Sequence, residues 1–186
     1  MNILVIIDMQ NDFITGSLAN KAAEAIVPSI VDEIRPKETM YAYNEIILTR
    51  DTHGYDYLKT NEGKHLPVPH CINGTEGWLV DKRIRDALDS VSGYCPIDYL
   101  DKNTFGTYNW IKYIRQDHLL GSDLNITLCG TCTDICVISN ALILKAMYPE
   151  ANIKVIQNCC AGLTPEKHKA ALEVMRSCQI KVSEVK

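Results

Sequence analysis

The chain has 186 residues, 46% of them apolar, and its 19 basic and 23 acidic residues give a formal net charge of −4. This length and apolar content predict one domain, residues 1–186, with one well-filled core. The chain has no basic stripe to attract nucleic acid and no apolar run long enough to span a membrane, so neither is an expected partner. The first residues lack a basic region and a cleavage site, from which we expect a cytoplasmic protein.

Short apolar runs alternate with helical patterns along the chain, which is typical of parallel βαβ units. Residues 51–77 show no clear period, and a loop of that length in a compact domain is usually functional. The pattern predicts a three-layer α/β/α fold with a mostly parallel, Rossmann-like doubly wound sheet. In chain order, we predict a strand at 2–8, a helix at 21–35, a strand at 45–50, the loop at 51–77, a helix at 81–88, a strand at 97–100, a helix at 108–117, a strand at 125–130, a helix at 134–147, a strand at 153–158, a helix at 164–178 that begins with Thr164 and Pro165, and an edge strand at 180–185.

Four groups of chemically capable residues follow the ends of predicted strands, where ligands bind in such sheets. Asp8 closes the first strand, Asp51 follows the second, Lys102 follows the third, and residues 132–136 follow the fourth. Each has a structural explanation when taken singly, as a turn cap, a solvated lysine or a small core residue. Their common place on one rim of the sheet favours a functional site instead.

The segment GTCTDICVIS, residues 130–139, places Cys136 in or near the first turn of a helix. Unpaired N–H groups and the helix dipole stabilise a thiolate there and lower the cysteine pKa, and such N–H groups also receive an oxyanion. Asp8 is positioned to act as the base, and Lys102 would stabilise the thiolate. This Cys-Asp-Lys set is suited to acyl transfer.

The cysteines have competing interpretations. Cys129 and Cys132 have C-x-x-C spacing, but no second pair completes a zinc knuckle, and Cys129 lies in a strand pattern rather than at the exposed start of a redox helix. Cys129, Cys159 and Cys160 lie in apolar segments, and no secretion signal accompanies the eight cysteines. We therefore expect buried, reduced thiols rather than a set of disulfides.

The long loop carries a second group of candidate residues. Asp51 and His53 stand two apart just beyond a strand, and His70 follows in LPVPHC. A carboxylate and two histidines form a catalytic type of metal site that leaves positions open for water or substrate. The alternative is that they are surface polar residues. Glu62 and His65 lie in the same loop, as a further ligand or as solvent-exposed residues.

Taken together, these residues resemble the isochorismatase-like cysteine hydrolases, and within them the nicotinamidase branch. The resemblance covers most of the chain and runs through five motifs in order: IIDMQNDFITGSL with Asp8, TRDTH with Asp51 and His53, PHCINGTEGW with His70, LDKNTFGT with Lys102, and GTCTDICV with Cys136.

The resemblance implies a Cys136 nucleophile, an Asp8 base and release of ammonia from nicotinamide or a related small amide through a thioester. It implies a cis peptide between Thr131 and Cys132, which turns the Cys132 N–H towards the Cys136 N–H as an oxyanion hole. It also implies a homo-oligomer and a divalent metal, with zinc expected ahead of iron or manganese. Isochorismatases proper act on an enol ether and lack the metal motif, so the metal motif favours an amidase.

Some positions depart from the family pattern. Pro67 stands where nicotinamidases usually carry an aromatic residue that stacks on the pyridine ring, while Phe13 matches the other aromatic wall. The usual histidine several residues after the D-x-H pair is missing, and Glu62 is our candidate for a fourth ligand. Tyr108 either lines the substrate pocket or buries a helix face.

Two alternative functions stay open. One is hydrolysis of another small amide. The other is a non-catalytic, redox-responsive protein in which Cys132, four residues from Cys136, forms a reversible disulfide with it.

Overall fold

The computed structural model describes residues 1–36, 42–114 and 124–183 of the chain. Its six strands form one parallel sheet in the order β3-β2-β1-β4-β5-β6. The strands are β1 (Asn2–Ile7), β2 (Glu45–Asp51), β3 (Ile97–Lys102), β4 (Asn125–Thr131), β5 (Asn152–Ala161) and β6 (Lys181–Ser183). The expected parallel α/β architecture is confirmed.

The helices flank this sheet in two packed groups. They are α1 (Asn11–Ile14), α2 (Lys21–Ile34), α3 (Asn61–His65), α4 (Lys82–Val91), α5 (Ile138–Met147) and α6 (Pro165–Ser177), with 3₁₀ turns at Tyr57–Lys59 and Asn109–Lys112 and a π-helical turn at Thr133–Val137. α2 packs on α4, and α5 packs on α6. Among the described residues, no helix is both long and apolar enough to cross a membrane.

The strand order explains where a site can form. The chain moves outward from β1 through β2 to β3, then returns to pair β4 with the other side of β1 before continuing outward to β6. Right-handed crossovers in opposite directions place helices on opposite faces, which leaves a crevice where the direction reverses. That crevice lies beyond the carboxyl ends of β1 and β4.

The central strand is buried along nearly its whole length. Residues 3–7 of β1 have no measurable exposure because strands lie on both sides and helices cover both faces. This is why the sequence shows a continuous apolar run there instead of an alternating one. The start of α6 is likewise readable from the sequence, since Thr164 caps its N-terminus and Pro165 occupies the first turn, as predicted.

Two predictions about irregular segments need correction. The loop at 51–77 contains the turn Tyr57–Lys59 and the helix α3, both too short to show a period. The described part of the helix predicted at 108–117 is only a 3₁₀ turn, Asn109–Lys112, in a segment rich in aromatic residues with modest helix propensity. Residues 115–117 lie outside the described residues, as do 184 and 185 of the predicted edge strand.

The helix predicted at 134–147 is also interrupted at its start. Residues 133–137 form a π-helical turn, in which the carbonyl of Cys132 accepts hydrogen bonds from the N–H groups of Ile135 and Val137, at 3.0 and 3.1 Å. The regular helix begins only at Ile138. Such turns insert one extra residue, often at functional sites, and apolar periodicity does not reveal them.

The eight cysteines are free thiols, in agreement with the expectation from the sequence. Six of them are buried, and Cys132 and Cys178 are half-buried. Their distribution through the core and its margins matches that of small apolar side chains.

Glu45, at the start of β2, provides a test of the fold's electrostatics. Burial and the neighbouring Asp98 carboxylate raise the pKa of Glu45 to about 7. The folded chain then holds a proton that the unfolded chain has already lost, so stability falls as the pH rises from about 4.5 to about 7. We expect Glu45→Gln to remove this fall and to raise the free energy of unfolding above pH 7 by about 1 kcal/mol, a figure reduced for the exposure of the carboxyl.

Urea unfolding of both proteins at pH 4.5 and pH 8 measures the effect. Glu150→Gln, at an exposed position, is the matched control and should leave the pH dependence unchanged. Wild-type and Glu45→Gln curves that stay parallel across this range would contradict the prediction.

Candidate active site

The residues that follow the strand ends in the sequence meet at one rim in the structure. Asp8 lies directly after β1, Asp51 and Lys102 are the last residues of β2 and β3, and Cys136 lies in the turn after β4. Asp51 and Lys102 are also direct partners in the β2–β3 register. All four side chains are buried, with Asp8 completely inaccessible and Cys136 8% exposed.

Lys102 is at the centre of this group. Its Nζ lies 2.7 Å from Asp8 Oδ2, 3.8 Å from Cys136 Sγ and 3.7 Å from Asp51 Oδ1. The Asp8 carboxylate is also near enough to the Cys136 thiol to raise its pKa. The Lys102 ammonium therefore contacts both a thiol and a carboxylate that can take its proton, and it can stabilise the resulting thiolate.

Burial changes the proton affinities of the three groups. Desolvation raises the pKa of the Cys136 thiol well above its ordinary value, and the Asp8 carboxylate raises it further, while Lys102 opposes both. Burial also raises the pKa of Asp8, against the effect of Lys102. The lowered thiol pKa expected from the helix dipole is therefore wrong, because desolvation outweighs the dipole at so buried a position. Cys136 needs a base beside it, and Asp8 occupies that place.

Lys102 has the opposite balance. Burial disfavours its ammonium form, but Asp8, Cys136 and Asp51 raise its pKa above the ordinary value. The ammonium is therefore retained in the core of the site, where the low dielectric makes its interactions with neighbouring charges strong.

The turn that carries Cys136 depends on a glycine. Gly130 pairs with Ile7 across β1 and β4 and has φ of +122°. A Cβ at this position would lie 2.1 Å from the Ile7 carbonyl oxygen and 2.8 Å from its nitrogen. The Thr131–Cys132 peptide that follows is cis.

The second group of candidate residues lies beside the first. Single donor atoms of Asp51, His53, Glu62 and His70 all lie within 4.8 Å of one another. Asp51 Oδ2 is 2.9 Å from His53 Nε2 and 3.4 Å from His70 Nε2, and Glu62 Oε1 is 3.8 Å from each of these nitrogens. Four donors around a tetrahedral zinc ion lie about 3.4 Å apart, so two imidazoles and two carboxylates at these separations fit a divalent metal.

The surrounding structure prepares these donors for a metal. His70 Nδ1 is 2.8 Å from the Val68 carbonyl, to which it donates, and this contact directs Nε2 towards Asp51 and Glu62. Burial works against the Asp51 carboxylate, but hydrogen bonds from His53 and His70 hold its pKa below the ordinary value. The ring of Tyr57 packs edge-on against both imidazoles, with centroid distances of 4.7 and 4.9 Å.

Comparison with known proteins agrees with this geometry. Residues 2–186 match the family model described as an isochorismatase domain. The chain belongs to the isochorismatase family. It is 26% identical over 194 residues to the nicotinamidase/pyrazinamidase of Mycobacterium tuberculosis, with 98% of each chain covered.

Solved structures of other family members superpose over nearly the whole chain. The nicotinamidase/pyrazinamidase from Bacillus subtilis is 26% identical, covers 98% of this chain and 99% of its own, and gives a TM-score of 0.82. The pyrazinamidase of Pyrococcus horikoshii in complex with zinc is 23% identical, covers 99% of each chain and gives a TM-score of 0.73. The similarity to the Pyrococcus horikoshii protein is evidence for the fold alone. Both structures support the isochorismatase-like architecture.

In the present protein, two clefts open at the rim of the candidate active site. One, of about 620 Å³, is lined by Thr52, Lys102 and Tyr108 among others. The other, of about 600 Å³, is lined by Glu62, His65 and Phe105. Residues 103–107, which we call the 103–107 loop, border both clefts.

The expected pocket residues occupy different places around these clefts. Half-buried Phe13 packs beside His70, with ring centroids 5.6 Å apart. Tyr108 is 78% exposed and lines the cleft beside Lys102, while its neighbour Trp110 is fully buried. Pro67 is exposed and presents no aromatic face.

Two buried polar residues that sequence reasoning missed hold Asp8 and Asp51 in place. Thr49 Oγ1 donates to Asp8 Oδ1 at 2.6 Å and accepts from the Asp8 N–H at 3.1 Å. Gln10 accepts from the Asp51 N–H at 2.7 Å and donates to the Asp51 carbonyl at 2.9 Å. Neither side chain reacts, so no chemical motif marks either residue. The sequence shows only that each is a polar residue within a motif at the end of a strand.

The position of Gly130 leads to a test by substitution. Gly130→Ala places a methyl group against the Ile7 backbone at a φ that disfavours side chains, so we expect a loss of on the order of 3 kcal/mol in unfolding free energy. The displaced turn should also slow alkylation of Cys136 by iodoacetamide.

Chemical unfolding and mass-spectrometric alkylation rates measure both effects. Gly93→Ala is the matched control, because a Cβ there has no neighbour within 4 Å, and it should change stability little. Equal stabilities for the two variants would contradict the role assigned to Gly130.

Proposed function

We propose that this protein is a metal-containing cysteine amidohydrolase that releases ammonia from nicotinamide or a related small amide through a thioester on Cys136. The observation that carries the proposal is the contact of the Lys102 ammonium with Asp8, Cys136 and Asp51 at once. It joins a nucleophile and its base to a four-donor metal group in one buried site. The nicotinamidase names of the Mycobacterium tuberculosis and Bacillus subtilis relatives support the substrate class.

Acylation begins with transfer of the Cys136 thiol proton to Asp8. The thiolate is stabilised by Lys102 and attacks the amide carbonyl, and the carbonyl oxygen becomes an oxyanion. In our proposal the backbone N–H groups of Cys132 and Cys136 receive that oxyanion. Protonated Asp8 then gives its proton to the leaving nitrogen, so that ammonia departs and an acyl thioester remains.

Deacylation uses the same groups, with water in place of the thiol as the attacking group. Asp8, ionised again, accepts a proton from water as the water attacks the thioester carbonyl, and the same N–H groups hold the second oxyanion. Collapse of this intermediate breaks the C–S bond and returns the proton to sulfur. The product leaves as a carboxylic acid, which gives its remaining proton to solvent and becomes a carboxylate. The raised proton affinities of Asp8 and Cys136 allow the proton to pass between them in both halves of the reaction.

We further propose that Asp51, His53, His70 and Glu62 hold the divalent ion. Imidazole and carboxylate donors suit zinc, and also iron or manganese, and zinc is the expected occupant. When bound, such an ion acts as a Lewis acid that holds a substrate ring nitrogen or orients water. The cytoplasmic location, the homo-oligomeric state and the single domain over residues 1–186 stay predictions from the sequence.

A second candidate substrate class is a small amide without an aromatic ring. Pro67 is exposed and cannot provide the stacking face that an aromatic residue would provide at that position. Of the two expected aromatic walls, only Phe13 is present, next to His70. This observation favours testing aliphatic amides beside nicotinamide.

Removal of the nucleophile is the direct test of the reaction. We expect zinc-loaded wild-type protein to release ammonia from nicotinamide, and Cys136→Ala to lower kcat by at least about 10⁴-fold, because the variant lacks the thiol that forms the proposed thioester. Coupled ammonia assays measure both rates. Cys178→Ala removes a half-buried thiol at the end of α6 and is the matched control that should keep wild-type turnover. Turnover by Cys136→Ala equal to that of wild type would disprove the mechanism.

The metal donors can be tested without any substrate. We expect His70→Ala to weaken zinc binding by at least about 100-fold and Glu62→Gln to weaken it less, because the Glu62 carboxylate is the more exposed donor. Competition with a chromophoric chelator measures the affinities. His65→Ala is the control, since His65 lies in the same segment but outside the four-donor group. Equal zinc affinities for His65→Ala and His70→Ala would rule out the assigned site.

A further inference from the structure

Asn140 is a completely buried polar residue on α5 that takes no part in the reaction described above. Asparagine is a weak helix former, and a buried amide is costly unless its hydrogen bonds are made. An apolar residue would suit this face of the helix better on both counts. The hydrogen bonds of Asn140 therefore indicate what this residue does.

The side-chain amide of Asn140 makes three hydrogen bonds. Its Nδ2 donates to the Cys136 carbonyl at 2.8 Å and to the Phe105 carbonyl at 3.0 Å. Its Oδ1 accepts from the Thr107 N–H at 3.2 Å. Both donors of the amide and one of its acceptor positions are satisfied by backbone groups, so the side chain connects two segments far apart in sequence.

One of these segments is the turn of the nucleophile and the other is the 103–107 loop. The loop also lies flush on α5, because a Cβ at Gly106 would come within 2.6 Å of Ile143 and 3.2 Å of Ser139. Its position relative to Cys136 is thus set by one helix, with Asn140 as the polar link between them.

The 103–107 loop is important because it separates the two clefts at the rim. Asn103 and Thr104 line both clefts, Phe105 lines the one beside Glu62, and Thr107 lines the one beside Lys102. A shift of the loop would therefore change the shape of both clefts, the one beside Lys102 and the one beside Glu62.

We infer that Asn140 is a positioning residue that fixes the 103–107 loop against the turn of Cys136 and thereby determines how tightly the amide substrate is bound. The inference rests on the proposed amidohydrolase function. Asn140 acts through the loop and does not touch the reacting atoms, so its loss should be felt mainly in KM.

Two variants of Asn140 separate its contacts. Asn140→Ala removes all three hydrogen bonds. Asn140→Thr keeps a hydroxyl that can bond the carbonyl four residues earlier, that of Cys136, but it is too short to hold the loop. Tyr148→Phe is the matched control, because it removes one buried hydrogen bond, to the Ile114 carbonyl at 2.9 Å, from the other end of the same helix.

We expect both Asn140 variants to raise KM by about tenfold or more and to change kcat by less than about threefold, with Tyr148→Phe leaving both constants unchanged. Hydrogen exchange of the Thr107 amide should be faster in both Asn140 variants than in Tyr148→Phe. Melting temperatures measured beside these values separate a positional effect from a general loss of stability.

Wild-type KM in both folded Asn140 variants would overturn the inference, and so would complete rescue by Asn140→Thr. If the wild-type protein releases no ammonia from any amide, the proposed function has failed and the effect on KM fails with it. Hydrogen exchange of the Thr107 amide then tests by itself whether Asn140 holds the 103–107 loop. Exchange as slow in the Asn140 variants as in wild type would show that it does not.

Discussion

The site depends on one buried positive charge. The Lys102 side chain is 1% exposed and its ammonium lies within 4 Å of Asp8, Cys136 and Asp51. Without it, two buried carboxylates would face each other in a region of low dielectric, and breaking a buried ion pair costs about 3–5 kcal/mol. Because Lys102 balances both carboxylates, the proposed nucleophile and the proposed metal donors can occupy adjoining positions in one buried site.

The parallel sheet is what brings this charge to its partners. Lys102 and Asp51 end neighbouring strands in register, while Asp8 and the cysteine turn follow the two strands where the chain changes direction. Every strand points the same way, so residues distant in sequence share one rim. The two polar residues beneath them, Thr49 and Gln10, then hold Asp8 and Asp51 in fixed positions through short hydrogen bonds to side chain and backbone.

Burial determines how such a site must work. The Cys136 thiol has a raised pKa because desolvation exceeds the stabilisation that Lys102 provides, so the resting group is the thiol. In the proposed mechanism, attack therefore requires proton transfer to Asp8, whose own raised proton affinity suits it to hold that proton until a leaving group takes it. A permanent thiolate, as the position near a helix start suggested, would have needed a more exposed or more positive environment.

Much of the fold and the site was predictable from local patterns. The strands, the N-cap of α6 and the grouping of Asp8, Asp51, Lys102 and Cys136 follow from apolar runs, capping residues and the rule that parallel strands end together. The candidate metal residues could be named because a carboxylate and two histidines in one loop form a known type of metal site, and because the family resemblance implies the same residues. The choice of Glu62, made from sequence position and resemblance, is also the choice that the donor distances favour.

Only the tertiary structure decided the distances, the burial and the irregular turns. The π-helical turn, the short helix α3 and the 3₁₀ turn at Asn109–Lys112 are shorter than any period that a sequence can display. The pKa of Cys136 depends on desolvation, which is a property of everything packed around it, and the three contacts of Asn140 join segments that no local pattern relates. Sequence by itself determined which groups could react and at which edge of the sheet. Packing decided their protonation and geometry, because both depend on neighbours that are distant along the chain.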